Sequence, residues 1–115
     1  MRTALLILIL LAADWAAAAE RDYQMPWCAA HGGTPEYVLP DRTRVDCLTE
    51  THAIEFDFAK KWAEALGQAL FYASWTNRRA AIVLIMGPKD EHFMGRLRAT
   101  VEHYGLPVDI WRVDK

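Results

Sequence analysis

The spacing of hydrophobic and polar residues changes several times along this chain, and each change marks an element. Residues 53–58 (AIEFDF) alternate strictly, with Ile54, Phe56 and Phe58 on one side and Glu55 and Asp57 on the other, which is the period of a strand. Before it, EYVL at 36–39 and RVDCLT at 44–49 are two shorter strand candidates. The residues between them, Pro40-Asp41-Arg42-Thr43, favour a turn, so the pair predicts a hairpin. Downstream the period lengthens. Trp62, Leu66, Ala69, Leu70 and Ala73 recur at helical spacing and predict a helix over 59–75, ended by Asn77-Arg78-Arg79. The run AAIVLIM at 80–86 is apolar throughout, as a buried central strand is, and Gly87-Pro88 closes it. Phe93, Leu97 and Val101 predict a further amphipathic helix over 90–104 with Gly105 as its C-cap, and VDIWRV at 108–113 predicts a last strand. Within residues 20–33, Met25–His31 followed by Gly32-Gly33 predicts a short helix stopped by glycine. The order is αβββαβαβ, an α/β domain with a mixed sheet flanked by helices.

The first residues have a different character. Arg2 precedes an unbroken apolar run, Ala4–Ala13, and the small residues Ala16–Ala19 follow Asp14. That is the make-up of a cleavable export signal, so residues 1–19 are expected to be removed and residues 20–115 to form one domain. The run is too short to span a bilayer, which takes roughly 20 apolar residues. The expectation is a periplasmic or secreted protein with no stable membrane insertion after cleavage. Export changes the reading of Cys28 and Cys47, because an even cysteine count outside the cytoplasm points to a disulfide. Two buried free thiols are the alternative. The formal net charge of −2 argues against a broad electrostatic grip on nucleic acid and leaves room for a local one.

The candidate chemistry lies in the carboxylates of the strands. Asp46 sits inside a strand, where a charge is costly unless exposed or paired. If Asp46 and Glu55 lie opposite one another on neighbouring strands, each raises the other's pKa, and a divalent cation relieves the repulsion. Glu36, across the hairpin, is a third candidate oxygen ligand. On the following helix Lys61, Gln68 and Tyr72 fall within roughly 40° of one another at about 100° per residue, a polar ridge beside the apolar stripe.

The order strand–Asp46–strand–Glu55-x-Asp57–helix, with Gln68-x-x-x-Tyr72 on the helix, resembles the PD-(D/E)xK nuclease superfamily, and its RecB-like branch in particular. The resemblance covers about residues 25–87 and implies an αβββαβ restriction-endonuclease-like core, here with an added C-terminal helix and strand. It implies metal-dependent hydrolysis of phosphodiester bonds in DNA or RNA. Asp46 and Glu55 would hold one or two Mg²⁺ or Mn²⁺ ions with Glu36 as a further acid, and Gln68 and Tyr72 would contact nucleic acid. Family members place a lysine two residues after the second acid; Asp57 stands there, and Lys61 is the candidate replacement. Asp46, Glu55, Lys61 and Gln68 are therefore the candidate catalytic set. The alternative is a non-catalytic exported domain of the same fold that binds nucleic acid or a protein partner.

Simpler roles exist for the same residues. Asp46, Glu55 and Asp57 would also suit a solvated sheet face paired with Arg42 and Arg44, and Lys61, Glu64 and Gln68 an ordinary exposed helix face. His31 and His52 lack tight metal-ligand spacing and suit loop or cap roles. Nothing in the sequence fixes the oligomeric state.

Overall fold

The computed structural model describes residue 15 and residues 19–115. The expected export signal, residues 1–19, lies almost wholly outside them. Helix α1 occupies residues 19–30. Strands β1 (Thr34–Val38), β2 (Arg44–Leu48) and β3 (His52–Phe58) follow; a 3₁₀ turn, Ala59–Lys61, then leads into α2 (Trp62–Thr76). Strand β4 (Arg79–Met86), helix α3 (Glu91–Tyr104) and strand β5 (Val108–Asp114) complete the chain.

The five strands form one sheet in sequence order. β1, β2 and β3 pair antiparallel, and β3, β4 and β5 pair parallel, so the sheet is mixed. β4, apolar from Ala80 to Met86, sits between β3 and β5 and is covered on both faces. On one face Ala80, Ile82, Leu84 and Met86 meet Leu66 and Ala69 of α2 and Met94 and Leu97 of α3. On the other, Ala81 and Val83 join Ile54 and Phe56 of β3 and Cys28 of α1, with Trp27, Trp111 and Val113 at the margin. At about 25 cal/mol per Å² of apolar surface removed from water, this two-sided burial is the main driving force for the fold.

Cys28 and Cys47 form a disulfide with Cα atoms 5.7 Å apart. It ties α1 to the strand that carries Asp46. Gly33 is the residue that lets the chain pass it: a Cβ there would collide with Cys47 Sγ and lie 2.7 Å from Cys28 Sγ. Helix α1 ends where His31 Nδ1 donates to the Trp27 carbonyl at 2.7 Å and Gly32 takes a left-handed conformation, φ 66°. His31 is thus a cap. Asn77 and Gly105 end α2 and α3 in the same left-handed way.

Candidate metal centre

The register explains how two carboxylates come together. β2 and β3 pair through Leu48↔Ala53 and Cys47↔Ile54. One step further on, Asp46 and Glu55 face each other, and there the regular ladder stops. Asp46 Oδ2 accepts the Phe56 backbone N–H at 2.8 Å, so a side chain takes the place of a ladder bond. The Asp46 carbonyl, freed from the ladder, accepts from Gln24 Nε2 of α1 at 2.8 Å. Gln24 is buried, 2% exposed, and its amide reaches Glu36 Oε1 at 3.3 Å as well. The strands are therefore parted at Asp46, and a helix side chain satisfies the parted backbone.

Glu20, Asp46 and Glu55 each offer a carboxylate oxygen within 4.8 Å of the others. Glu55 is 5% exposed, and its Oε2 is buried without a hydrogen-bond partner. Burial raises the Glu55 pKa far above the usual carboxylate range, helped by the Asp46 charge and by a hydrogen bond between the two carboxyls. Burial also raises the Asp46 pKa, against the opposing pull of the Phe56 N–H. The pair therefore keeps a proton near neutral pH when no cation is present. Glu20 is pushed up to about 8, chiefly by burial and then by the charges of Asp57 and Asp46. Three acids that each favour protonation are a cost to the fold that a divalent cation would remove, and an unpartnered buried oxygen is one a cation would use.

The neighbouring groups differ in how they meet this cluster. Asp57 is also buried, 5% exposed, with its pKa raised to about 6 by burial against the opposing Lys61 charge. Its Oδ1 accepts the Phe58 N–H at 3.0 Å. Lys61 is exposed at the start of α2, and its charge lowers the pKa of both Glu20 and Asp57. Tyr72 is buried against Leu39, Val45, Leu48 and Ala53. Its phenol is held up to about 12, first by burial and then by the Glu55 and Asp46 charges, which places it beside the cluster. Gln68 lies exposed on the same helix. The ridge of Lys61, Gln68 and Tyr72 thus straddles the boundary between core and solvent. The burial of Glu55 and Asp57 sets them apart from a solvated sheet face.

Glu36, the third acid expected from the sequence, stands next to the cluster but outside the group of three. Its carboxylate is turned toward Arg21, at 3.5 Å, and Gln24. A left-handed backbone at Glu36, φ 52°, interrupts the β1–β2 pairing opposite Asp46 and sets that direction. Glu20 supplies the third carboxylate instead. Glu20 and Gln24 were missed in the sequence, although a signal was present. They precede Cys28 by eight and four residues, so they share its helix face, and Cys28 is bonded to the residue after Asp46.

His52 serves elsewhere. Its Nε2 donates to Asp109 Oδ2 at 2.7 Å, and Arg79 Nε donates to the same oxygen at 2.8 Å.

No helix among the described residues is long and apolar enough to cross a membrane. Comparison of the chain with protein-family models, with curated proteins and with solved structures finds no match. The class that fold and site define is therefore a five-stranded mixed α/β domain with a partly buried acidic cluster that could hold a metal ion.

Proposed function

We propose that Glu20, Asp46 and Glu55 hold a divalent cation, Mg²⁺ or Mn²⁺, and that the protein is an exported hydrolase of phosphodiester bonds in nucleic acid. The observation that carries the reading is the buried, unpartnered Oε2 of Glu55 among three converging carboxylates. The sequence resemblance to the PD-(D/E)xK nucleases supports the same choice of Asp46 and Glu55, and the disulfide suits a periplasmic or secreted protein.

A cation bound there supplies a Lewis acid for the scissile phosphate and a water of lowered pKa. The chain's own residues do the rest. The Phe56 N–H holds the Asp46 carboxylate, and Gln24 holds the Asp46 backbone carbonyl behind it. Lys61 carries the positive charge beside the cluster and would stabilise charge developing on the phosphate. Gln68, exposed on α2, would contact the nucleic acid, and Tyr72 would border the substrate from its buried position.

The experiment is cleavage of single- and double-stranded DNA and RNA with Mg²⁺ or Mn²⁺, together with Mn²⁺ binding by calorimetry. Asp46→Ala should abolish cleavage and weaken Mn²⁺ binding at least tenfold. Absence of cleavage by the wild type with both metals refutes the enzyme. One observation favours a second reading in that event: the position where the family carries its lysine holds the buried Asp57. The protein would then be a non-catalytic domain of this fold that binds nucleic acid or a protein partner. A gel-shift assay with the same nucleic acids tests the first of these.

A further inference from the structure

The end of the sheet where His52 begins β3 carries a concave surface away from the carboxylate cluster. A cleft of about 600 Å³ opens there, a volume in the range of small-ligand sites. Its apolar wall consists of Trp27, His31 and Trp111. Trp27 stacks on His31 with centroids 3.6 Å apart, and Trp111 lies 5.7 Å from Trp27 at an interplanar angle of 29°. The same three rings also line a hollow of about 450 Å³. Trp27 and Trp111 are only partly buried, and His31 is exposed. Both indoles pack against the core on one side and leave a smaller part of their rings open to the cleft, where a ligand can meet them.

The polar side of the cleft is ordered. His52 meets Trp111 edge-on at 5.0 Å. Its Nε2 is held by Asp109, and its Nδ1 pairs with the Thr51 hydroxyl at 2.7 Å. Arg79 fixes Asp109 from behind. Glu50 and Thr51 add a carboxylate and a hydroxyl to the rim. The wall contains no lysine or arginine, and the nearby Arg79 is already paired with Asp109.

This chemistry selects among ligand classes. A phosphate or other anion would meet Glu50 with no cation in the wall to balance it. A purely apolar ligand would desolvate the Glu50 carboxylate and give it no partner. A neutral saccharide fits both sides. Its C–H faces carry partial positive charge and pack on the negative faces of indole rings. Its hydroxyls donate to the Glu50 carboxylate and to the Thr51 hydroxyl oxygen and can pair with His31 Nε2, while His52, engaged by Asp109 and Thr51, holds the rim in place. We propose that the cleft walled by Trp27, His31 and Trp111 and rimmed by Glu50, Thr51 and His52 is a binding site for a neutral saccharide. The site is separate from the carboxylate cluster and does not depend on its function.

Indole N–H signals in a ¹H–¹⁵N spectrum of the labelled protein test this directly. The probes are tri-N-acetylchitotriose, cellotriose and maltotriose, each titrated into the millimolar range, with adenosine monophosphate as the anionic comparison. At least one trisaccharide should shift the Trp27 and Trp111 indoles saturably, while Trp62 and Trp75 stay in place and the nucleotide has no effect. Trp111→Ala should weaken binding at least tenfold. Glu50→Ala, an exposed change that leaves the core intact, should weaken it several-fold. Three results each overturn the proposal: no saturable shift with any of the three sugars, saturable shifts with the nucleotide alone, or wild-type affinity in both variants.

Discussion

Replacing Glu55 by glutamine separates the cost of the acidic cluster from its use. In the folded protein the Asp46–Glu55 pair keeps a proton because burial and mutual repulsion raise both pKa values, Glu55 the more strongly. In the unfolded chain glutamate titrates near 4.3. The folded pKa is the higher one, so the stability linked to this proton is fully present below about pH 4 and is lost as pH rises toward the folded value. Above about pH 5 the folded state binds one more proton than the unfolded state at this site. Stability then falls by about 1.4 kcal/mol per pH unit, or about 2.7 kcal/mol between pH 6 and 8. Glutamine has the shape of the protonated acid and can still donate to Asp46, but it takes up no proton. Urea unfolding in EDTA at pH 6, 7 and 8 should show a pH slope in Glu55→Gln that is shallower by about that amount, with Glu50→Gln, an exposed change, as the unaffected control. A saturating concentration of Mn²⁺ should flatten the wild-type slope too, by ionising the pair, and should add roughly 2.7 kcal/mol at a hundredfold excess over Kd. The variant should lose most of that gain. Equal pH slopes in wild type and variant would refute the reasoning, because they would mean that Glu55 ionises freely in the folded state.

Other consequences are simpler to measure. The Cys28–Cys47 bridge closes a loop spanning a sequence separation of 19, so Cys28→Ser with Cys47→Ser should lower unfolding free energy by about 3 kcal/mol under non-reducing conditions. Dithiothreitol should reproduce the loss in the wild type. Gly33→Ala places a methyl group against both sulfurs and should destabilise by about 1–3 kcal/mol in thermal unfolding, typical of overpacking. Gly67→Ala, on the exposed side of α2 with open space around it, should stabilise by up to about 1 kcal/mol in the same assay. Gln24→Ala leaves the Asp46 carbonyl without its helix partner; it should cost about 1–3 kcal/mol and weaken Mn²⁺ binding, whereas Gln24→Glu, by adding a carboxylate beside Asp46, should lower stability more at pH 8 than at pH 5.

Periodicity located β3, α2 and α3, while turn residues, glycine stops and an unbroken apolar run marked the first helix, the hairpin and β4. The alternation of AIEFDF put Glu55 and Asp57 on the face opposite Ile54 and Phe56, and the pairing of β3 with β4 agrees. The continuous apolar run at 80–86 marked the strand buried on both faces. One boundary moved at the start of the long helix. The first three residues assigned to the long helix form a 3₁₀ turn, with Lys60 and Lys61 in it. On that helix Tyr72, placed on a polar ridge by spacing, is buried, because its ring joins Leu48 and Ala53 beneath α2.

The composition of the carboxylate cluster was harder to read, and the reason is geometric. Asp46 and Glu55 follow from strand register, which sequence alternation encodes. The third carboxylate depends on where α1 crosses the sheet, and no local pattern encodes that. The crossing is set by one covalent bond, Cys28 to Cys47, together with the room that Gly33 leaves for it. Once the helix is pinned there, 1.5 Å of rise per residue brings Gln24 and then Glu20 back along the same face, about 6 and 12 Å from Cys28. Gln24 meets the carbonyl left open where β2 and β3 part, and Glu20 meets the two acids. Glu36 is diverted because its left-handed backbone turns it to Arg21. The disulfide therefore shapes the site as well as stabilising the fold. Under reduction, Mn²⁺ affinity should fall along with stability, and it should fall even at temperatures where the reduced chain remains folded by circular dichroism. Undiminished affinity in a reduced, folded protein would show that the core alone positions Glu20.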